Sequence, residues 1–172
     1  MYRNLTPLLL GRTKALITVS DFSKKEIASH YGYPASSICV VPNAVDGRFQ
    51  PFCAEQCPRE AAPYLLAVSS PSAHKNFARM VAAFLSMEGQ NEVELRIIGD
   101  SNRIFSGSLH DVPGSRRIRM LGRLTDEELV EAYQGATAFV FPSLYEGFGI
   151  PPLEAQACGC PVIAARAASI PE

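Results

Sequence analysis

The sequence predicts an α/β fold, an open parallel sheet with helices on both faces, and three observations carry that expectation. Apolar, β-branched stretches recur along the chain with helical patterns between them. The strand-like stretches are continuously apolar and do not alternate, as burial on both faces of a sheet demands. Strand followed by helix, repeated, implies crossover connections and hence parallel pairing.

Taken in chain order, strands are expected near residues 15–19, 38–41, 64–68, 93–98, 117–121, 137–141 and 161–165. Helices are expected over 23–31, 76–87, 126–134 and 152–158. Ser20-Asp21-Phe22-Ser23 supplies oxygen-bearing caps for the first helix. Thr125 with Glu128 three residues on has the spacing of a capping box for the third. Gly32, Gly89 and Gly135 fall where helices should stop.

The 172 residues are 47% apolar and 19% charged, which fits a packed α/β core and excludes a disordered or fibrous chain. Sixteen Lys and Arg against 17 Asp and Glu give a net charge of −1, so no long-range field favours nucleic acid as a partner and any anion site must be local. Leu8-Leu9-Leu10 is broken at once by Gly11-Arg12, too short for a membrane span or a signal-peptide core. Five cysteines, an odd number, argue against a complete disulfide framework and for a reducing cytoplasm.

Between Asn43 and Pro63 the composition changes, with Pro51, Pro58 and Pro63 among Asp46, Gly47 and Gln50 and no sustained period. This divides the chain into residues 1–50, the end of one domain and the start of a linker, the linker 51–62, and a second domain over 61–172. The last strand has no helix after it, so the chain is expected to be truncated at both ends.

The segment Phe141-Pro-Ser-Leu-Tyr-Glu146-Gly147-Phe148-Gly149-Ile150-Pro-Pro152-Leu-Glu154 leaves a buried strand and opens a helix. In an open parallel sheet the carboxyl ends of the strands face the ligand crevice, so this loop is placed to bind something. Gly147 and Gly149 permit close backbone approach. Pro152 suits the first helical turn, whose free N–H groups and positive dipole end would face a phosphate or a sugar oxygen. Glu146 and Glu154 bracket the loop, and each carboxylate can accept paired hydrogen bonds from vicinal hydroxyls, as ribose and hexose sites require. Either one alone would ordinarily be a solvated surface carboxylate; the glycines and the strand-loop-helix context favour binding.

The E-x7-E pattern from Glu146 to Glu154, with Gly-Phe-Gly inside it and Cys-Gly-Cys-Pro-Val after it, resembles the family-four (group 1) retaining glycosyltransferases of the GT-B architecture. The matches run in order along the chain. Residues 18–23 and 41–46 are similar to the last units of the family's N-terminal, acceptor-side domain and its linker. Residues 64–68 with His74-Lys75-Asn76 are similar to the phosphate-binding strand and loop that open its Rossmann-like C-terminal domain. Residues 119–129 are similar to the segment whose backbone, near Leu124, reads the base.

The resemblance implies a donor site in which Glu154 holds the nucleotide ribose, while Glu146 and the backbone of Gly147, Phe148, Gly149 and Ile150 hold the donor hexose. Lys75 would lie on the diphosphate, with Ser69 and His74 beside it, and Glu146 and Lys75 would be the catalytic pair. No metal motif is visible, and the resemblance implies neither metal nor cofactor. The family pattern often has Arg before the lysine; His74 there supplies less positive charge. Its His-Lys-Asn form is closer to mannosyltransferases, which leans toward GDP-mannose as donor. The implied reaction moves a hexose to a glycan or lipid-linked hydroxyl in polysaccharide biosynthesis. It would occur in the cytoplasm, with peripheral association at the inner membrane face through sequence preceding this chain.

Other readings stand beside these. A nucleotide-sugar-binding fragment without catalysis, or a sugar-nucleotide isomerase of similar architecture, would use the same crevice. Phe148 could stack on a sugar or plug the core. Cys53, Cys57, Cys158 and Cys160 could make a four-thiolate zinc site, although the first pair lies in the linker. Glu94, Arg96, Arg116, Arg117 and Arg119 read as solvated strand-edge charges, and His30 and His110 as surface residues.

Overall fold

A computed structural model describes residues 6–7, 9–51, 62–68, 72–87, 92–99 and 115–172. It divides into two compact units, neither a single stretch of chain. The first comprises Met1–Ala44, Tyr145–Gly149 and Ala167–Glu172; the second comprises Val45–Leu144 and Ile150–Arg166.

The first unit holds a β-α-β crossover: β1 (Leu16–Thr18) pairs in parallel with β2 (Ile38–Val40), and α1 (Asp21–Tyr31) connects them. Helix α1 starts two residues before the expected position because Ser20, not a later residue, is its cap. Ser20 is extended, and its hydroxyl accepts from the Ser23 N–H at 3.0 Å. Asp21 then sits in the first turn, where the helix dipole favours a negative charge. Gly32, at φ 66°, closes the helix in the left-handed conformation.

The second unit is built on β3 (Tyr64–Val68), α2 (Phe77–Leu85), β4 (Glu94–Ile98), β5 (Ile118–Gly122), α3 (Asp126–Gly135), β6 (Ala138–Phe141), α4 (Ile150–Ala157) and β7 (Val162–Ala164). Its five strands lie in the order β5-β4-β3-β6-β7, every pair parallel. The expected α/β class is thus found, with strand limits within about a residue of those read from sequence. Side chains alternate between the two faces. Ala67, Leu95 and Ile97 bury one face under Met80, Val81 and Phe84 of α2. Leu66 and Phe139 turn to the other face, where the Tyr133 ring of α3 meets Phe139 edge-on at 5.2 Å.

Helix α2 is shorter than the expected 76–87. A 3-10 turn, Ala73–Lys75, precedes it, and Asn76 at φ 54° separates the two. Asparagine tolerates this left-handed conformation, so the break leaves no mark in the hydrophobic pattern. The box at Thr125 and Glu128 forms in full, with Thr125 Oγ1 accepting from the Glu128 N–H and Glu128 Oε2 from the Thr125 N–H. Gly89 lies outside the described residues.

Helix α3 ends at Gly135, as expected, but without the left-handed conformation of a capping glycine. A Cβ there would lie 2.6 Å from Tyr64 Oη, which donates to the Ala132 carbonyl. Space, not backbone conformation, calls for glycine. Gly135→Ala is therefore expected to destabilise the protein by about 1–2 kcal/mol. In a Tyr64→Phe background the next ring carbons, at 3.5 and 3.6 Å, are ordinary contacts, so the cost should vanish. Urea midpoints of the four proteins in the cycle test this; equal costs in both backgrounds would refute it.

Arg96 corrects the reading of solvated edge charges. It is on β4, inside the sheet, and only 9% exposed. Its guanidinium lies 3.9 Å from the Tyr64 ring centroid, and its Nε donates to Glu94 Oε2 at 3.0 Å. Arg117 stacks over Phe84 at 4.8 Å, whereas Arg119 stays more than half exposed near Glu94.

Residues 45–51, expected to open the linker, belong to the second unit. Arg48 ion-pairs with Asp46 and Asp126, Phe49 meets Tyr133 edge-on at 6.2 Å, and Gln134 Nε2 donates to the Gln50 carbonyl at 2.9 Å. Residues 52–61 lie outside the described residues. Among the described residues, no helix is long and apolar enough to cross a membrane.

Candidate donor site

Within the second unit the strand order reverses between β3 and β6: the chain runs outward from β3 to β4 and β5, then returns on the other side as β6 and β7. In open α/β sheets, ligands bind outside the carboxyl ends of the strands at such a point. The loops leaving β3 and β6 are joined there. The Leu144 N–H donates to the His74 carbonyl at 2.8 Å, and the buried Ser143 hydroxyl donates to the same oxygen at 3.4 Å. Lys75 ends the 3-10 turn, and its ammonium lies over the Phe141 ring, 5.4 Å from the centroid, at the end of β6. His74 is exposed, its carbonyl rather than its ring doing the joining. Ser69 lies outside the described residues.

Glu154 is carried by α4, whose first turn contains Pro151 and Pro152, where a missing N–H breaks no helical hydrogen bond. It is half-buried, and Tyr133 Oη donates to its Oε2 at 3.2 Å. Burial raises the carboxyl pKa, the Tyr133 hydrogen bond opposes this, and the charge of Asp126 adds to the rise. A raised carboxyl pKa means that the folded state holds its proton more tightly than the unfolded chain. Ionising Glu154 as pH rises through that window therefore costs stability. A carboxylate kept at such a cost is a candidate ligand-binding group. Leu124, half-buried, lies between Gly122 and the Thr125 cap. Gly122 at φ 72° turns the chain out of β5, and its carbonyl accepts from the Gly99 N–H at 2.8 Å.

The Glu146 loop is part of the first unit. The Gly147 carbonyl accepts from the hydroxyls of Ser20, at 2.6 Å, and Ser23, at 3.0 Å. The buried Ser169 hydroxyl bridges the carbonyls of Glu146, at 2.9 Å, and Phe148, at 3.0 Å. Tyr145 meets Phe22 edge-on at 5.3 Å and donates to Glu26 Oε2 at 3.0 Å. Three successive carbonyls are thus held, while among the described residues no intramolecular acceptor meets the N–H groups of Gly147, Phe148 and Gly149. Gly149, at φ 99°, adopts a conformation that other residues resist. Phe148 is half-buried. Ile150 is exposed and opens α4 in the second unit, two residues before the expected helix start.

Of the cysteines in the zinc alternative, Cys158 and Cys160 are buried, and burial pushes both thiols up, Cys160 to about 11. Cys53 and Cys57 lie outside the described residues. Sequence reading also missed four polar side chains that shape the two loops: Ser23 and Ser169 under the Glu146 loop, Ser143 at the strand switch, and Tyr133 on Glu154. Ser143 stands inside the quoted loop and Tyr133 on the apolar face of a predicted helix; Ser169 has no local signal.

The family Glycosyl transferases group 1 matches residues 54–172, and Glycosyltransferase Family 4 matches residues 1–48. The chain is similar to the O-antigen chain mannosyltransferase B of Escherichia coli, 34% identical over 180 residues covering 95% of this chain and 46% of that protein. It is also similar to the MMP alpha-(1->4)-mannosyltransferase of Mycolicibacterium hassiacum, 30% identical over 91% of this chain and 38% of that protein. The chain thus spans less than half the length of these relatives. Among solved structures it resembles the sucrose-phosphate synthase of Thermosynechococcus elongatus, with TM-score 0.77 and 22% identity over 96% of this chain and 44% of that one. It likewise resembles HepE of Anabaena, solved with UDP and glucose, with TM-score 0.78 and 19% identity over 96% of this chain and 48% of that one. These structures carry the fold, and the family matches together cover nearly the whole sequence. The chain belongs to the group 1 glycosyl transferases.

Proposed function

We propose that the protein to which this chain belongs is a retaining hexosyltransferase and that the chain supplies its donor site. The substrate is a nucleotide diphosphate sugar, the acceptor a glycan or lipid-linked hydroxyl, and no cofactor or metal is required. The observation that carries this reading is Lys75 held over the end of β6 at the strand-order reversal, in the same unit as the half-buried carboxylate of Glu154. Departure of a nucleoside diphosphate builds negative charge, which a fixed ammonium and helix N-terminal amides stabilise.

In this reading Lys75, with His74 and Ser69, takes the diphosphate, Leu124 the base and Glu154 the ribose. Glu146 and the backbone of Gly147, Phe148, Gly149 and Ile150 take the hexose. Glu146 and Lys75 act on the reacting groups. The two mannosyltransferase relatives favour mannose, and with it GDP-mannose as donor. The O-antigen relative favours a polysaccharide pathway; the proposed place of reaction is the cytoplasmic face of a membrane, with peripheral attachment.

Titration calorimetry with GDP-mannose, UDP-glucose and ADP-glucose tests the reading. GDP-mannose is expected to bind most tightly, by at least about tenfold, a difference of about 1.4 kcal/mol. Preference for a uridine or adenosine donor would overturn the assignment of mannose, and binding of none of the three would overturn the donor site.

A further inference from the structure

We propose that Tyr133 is a positioning residue of the donor site: from the core of the second unit its hydroxyl holds Glu154 Oε2, leaving Oε1 to accept from the donor ribose. The inference rests on the assignment of Glu154 to ribose made above.

Tyr133 is fully buried, and a buried phenol must find a hydrogen-bond partner. That partner is Glu154 Oε2, at 3.2 Å. The ring is fixed by edge-on contacts with Phe139 at 5.2 Å and Phe49 at 6.2 Å, so its hydroxyl is delivered from a rigid platform with two torsions to hold. The Glu154 side chain, with three torsions, has no such rigidity of its own.

The surroundings of Glu154 otherwise oppose its charge. Among the described residues it has no ion-pair partner. Asp126 acts on it from the start of α3, and the thiols nearby, Cys158 just past the end of α4 and Cys160 beyond it, are kept protonated by burial. The Tyr133 hydroxyl is the donor that favours the ionised form. An ionised carboxylate accepts from both hydroxyls of a vicinal diol, whereas a protonated one spends an oxygen as donor. The phenol thus sets both the direction of the carboxylate and the charge state in which it can bind a diol.

The test compares wild type with Tyr133→Phe and Glu154→Gln, using whichever of GDP, UDP and ADP binds most tightly, together with its 2′,3′-dideoxy form. Tyr133→Phe should weaken the ribose form about tenfold at pH 7. It should weaken the dideoxy form little, because that ligand has no diol to present. Binding should also fail at higher pH on acidification than in wild type, since removing the donor raises the Glu154 pKa further. Carbon NMR of the Glu154 carboxyl reads the same upward shift without ligand. Glu154→Gln, which keeps an acceptor for Tyr133, should abolish this acid limb.

Equal losses for ribose and dideoxy ligands, or an unmoved carboxyl midpoint, would overturn the positioning role while leaving the donor site standing. An unaltered acid limb in Glu154→Gln would overturn it even if Tyr133→Phe fails to fold. A wild-type protein that binds no nucleoside diphosphate would overturn the donor site and this inference together.

Discussion

Phe139→Ala is expected to destabilise the protein by about 3–5 kcal/mol, the cost of a large cavity in a core that cannot close around it. Phe139 is fully buried on β6, a strand paired on both sides, with β3 and β7. Its ring takes the edge of Tyr133 at 5.2 Å on one side and stacks with Phe141 at 6.0 Å. Such ring pairs contribute about 0.5–1.5 kcal/mol beyond the area they bury. Ile163 on β7, 57% exposed, is the control: Ile163→Ala should cost under about 1 kcal/mol because most of its surface already meets water. Urea denaturation followed by circular dichroism measures both. A Phe139→Ala cost below about 1.5 kcal/mol would mean that this face of the sheet is not tightly filled.

The same ring joins fold to site, because Phe139 supports Tyr133, which holds Glu154, and Phe141, over which Lys75 lies. How much of this was legible in the sequence depended on how local each cause is. The continuously apolar runs at 64–68 and 94–98 announce buried parallel strands, because each residue carries its own signal. The Thr125 box spans three residues and was equally readable. The position of β6 beside β3 was not, since pairing across some seventy residues leaves no local period.

The misses have physical reasons as well. Gly135 ends its helix as expected, but what calls for glycine there is the Tyr64 hydroxyl, far away in sequence. Arg96 looked solvated because lone charges ordinarily are. Its burial is compensated by Glu94, two residues back on the same face, and by the Tyr64 ring on the neighbouring strand. The i, i+2 carboxylate was a usable clue. Ser169 offered none: its hydroxyl meets two carbonyls more than twenty residues earlier, in a loop that sequence alone assigned to the other unit.

Glu154 and Glu146 are expected to separate by ligand. If Glu154 holds the ribose hydroxyls, Glu154→Ala should weaken a nucleoside diphosphate and its nucleotide sugar by similar factors, about 1.5–3 kcal/mol for charged hydrogen bonds. The loss is felt wherever ribose is present. If Glu146 holds the hexose, Glu146→Ala should weaken the nucleotide sugar clearly and leave the bare diphosphate nearly unchanged, since that ligand has no hexose to contact. The backbone supports this separation, because the carbonyls of Glu146, Gly147 and Phe148 are held by Ser20, Ser23 and Ser169. Truncating the Glu146 side chain leaves these bonds in place. Ser169→Ala supplies the contrast: it frees the Glu146 and Phe148 carbonyls together and should loosen the hexose contacts while Glu146 itself remains. Calorimetry with GDP and GDP-mannose on the three variants measures the pattern. Equal losses of both ligands in both glutamate variants would show that the loop had collapsed, and the two roles would have to be withdrawn.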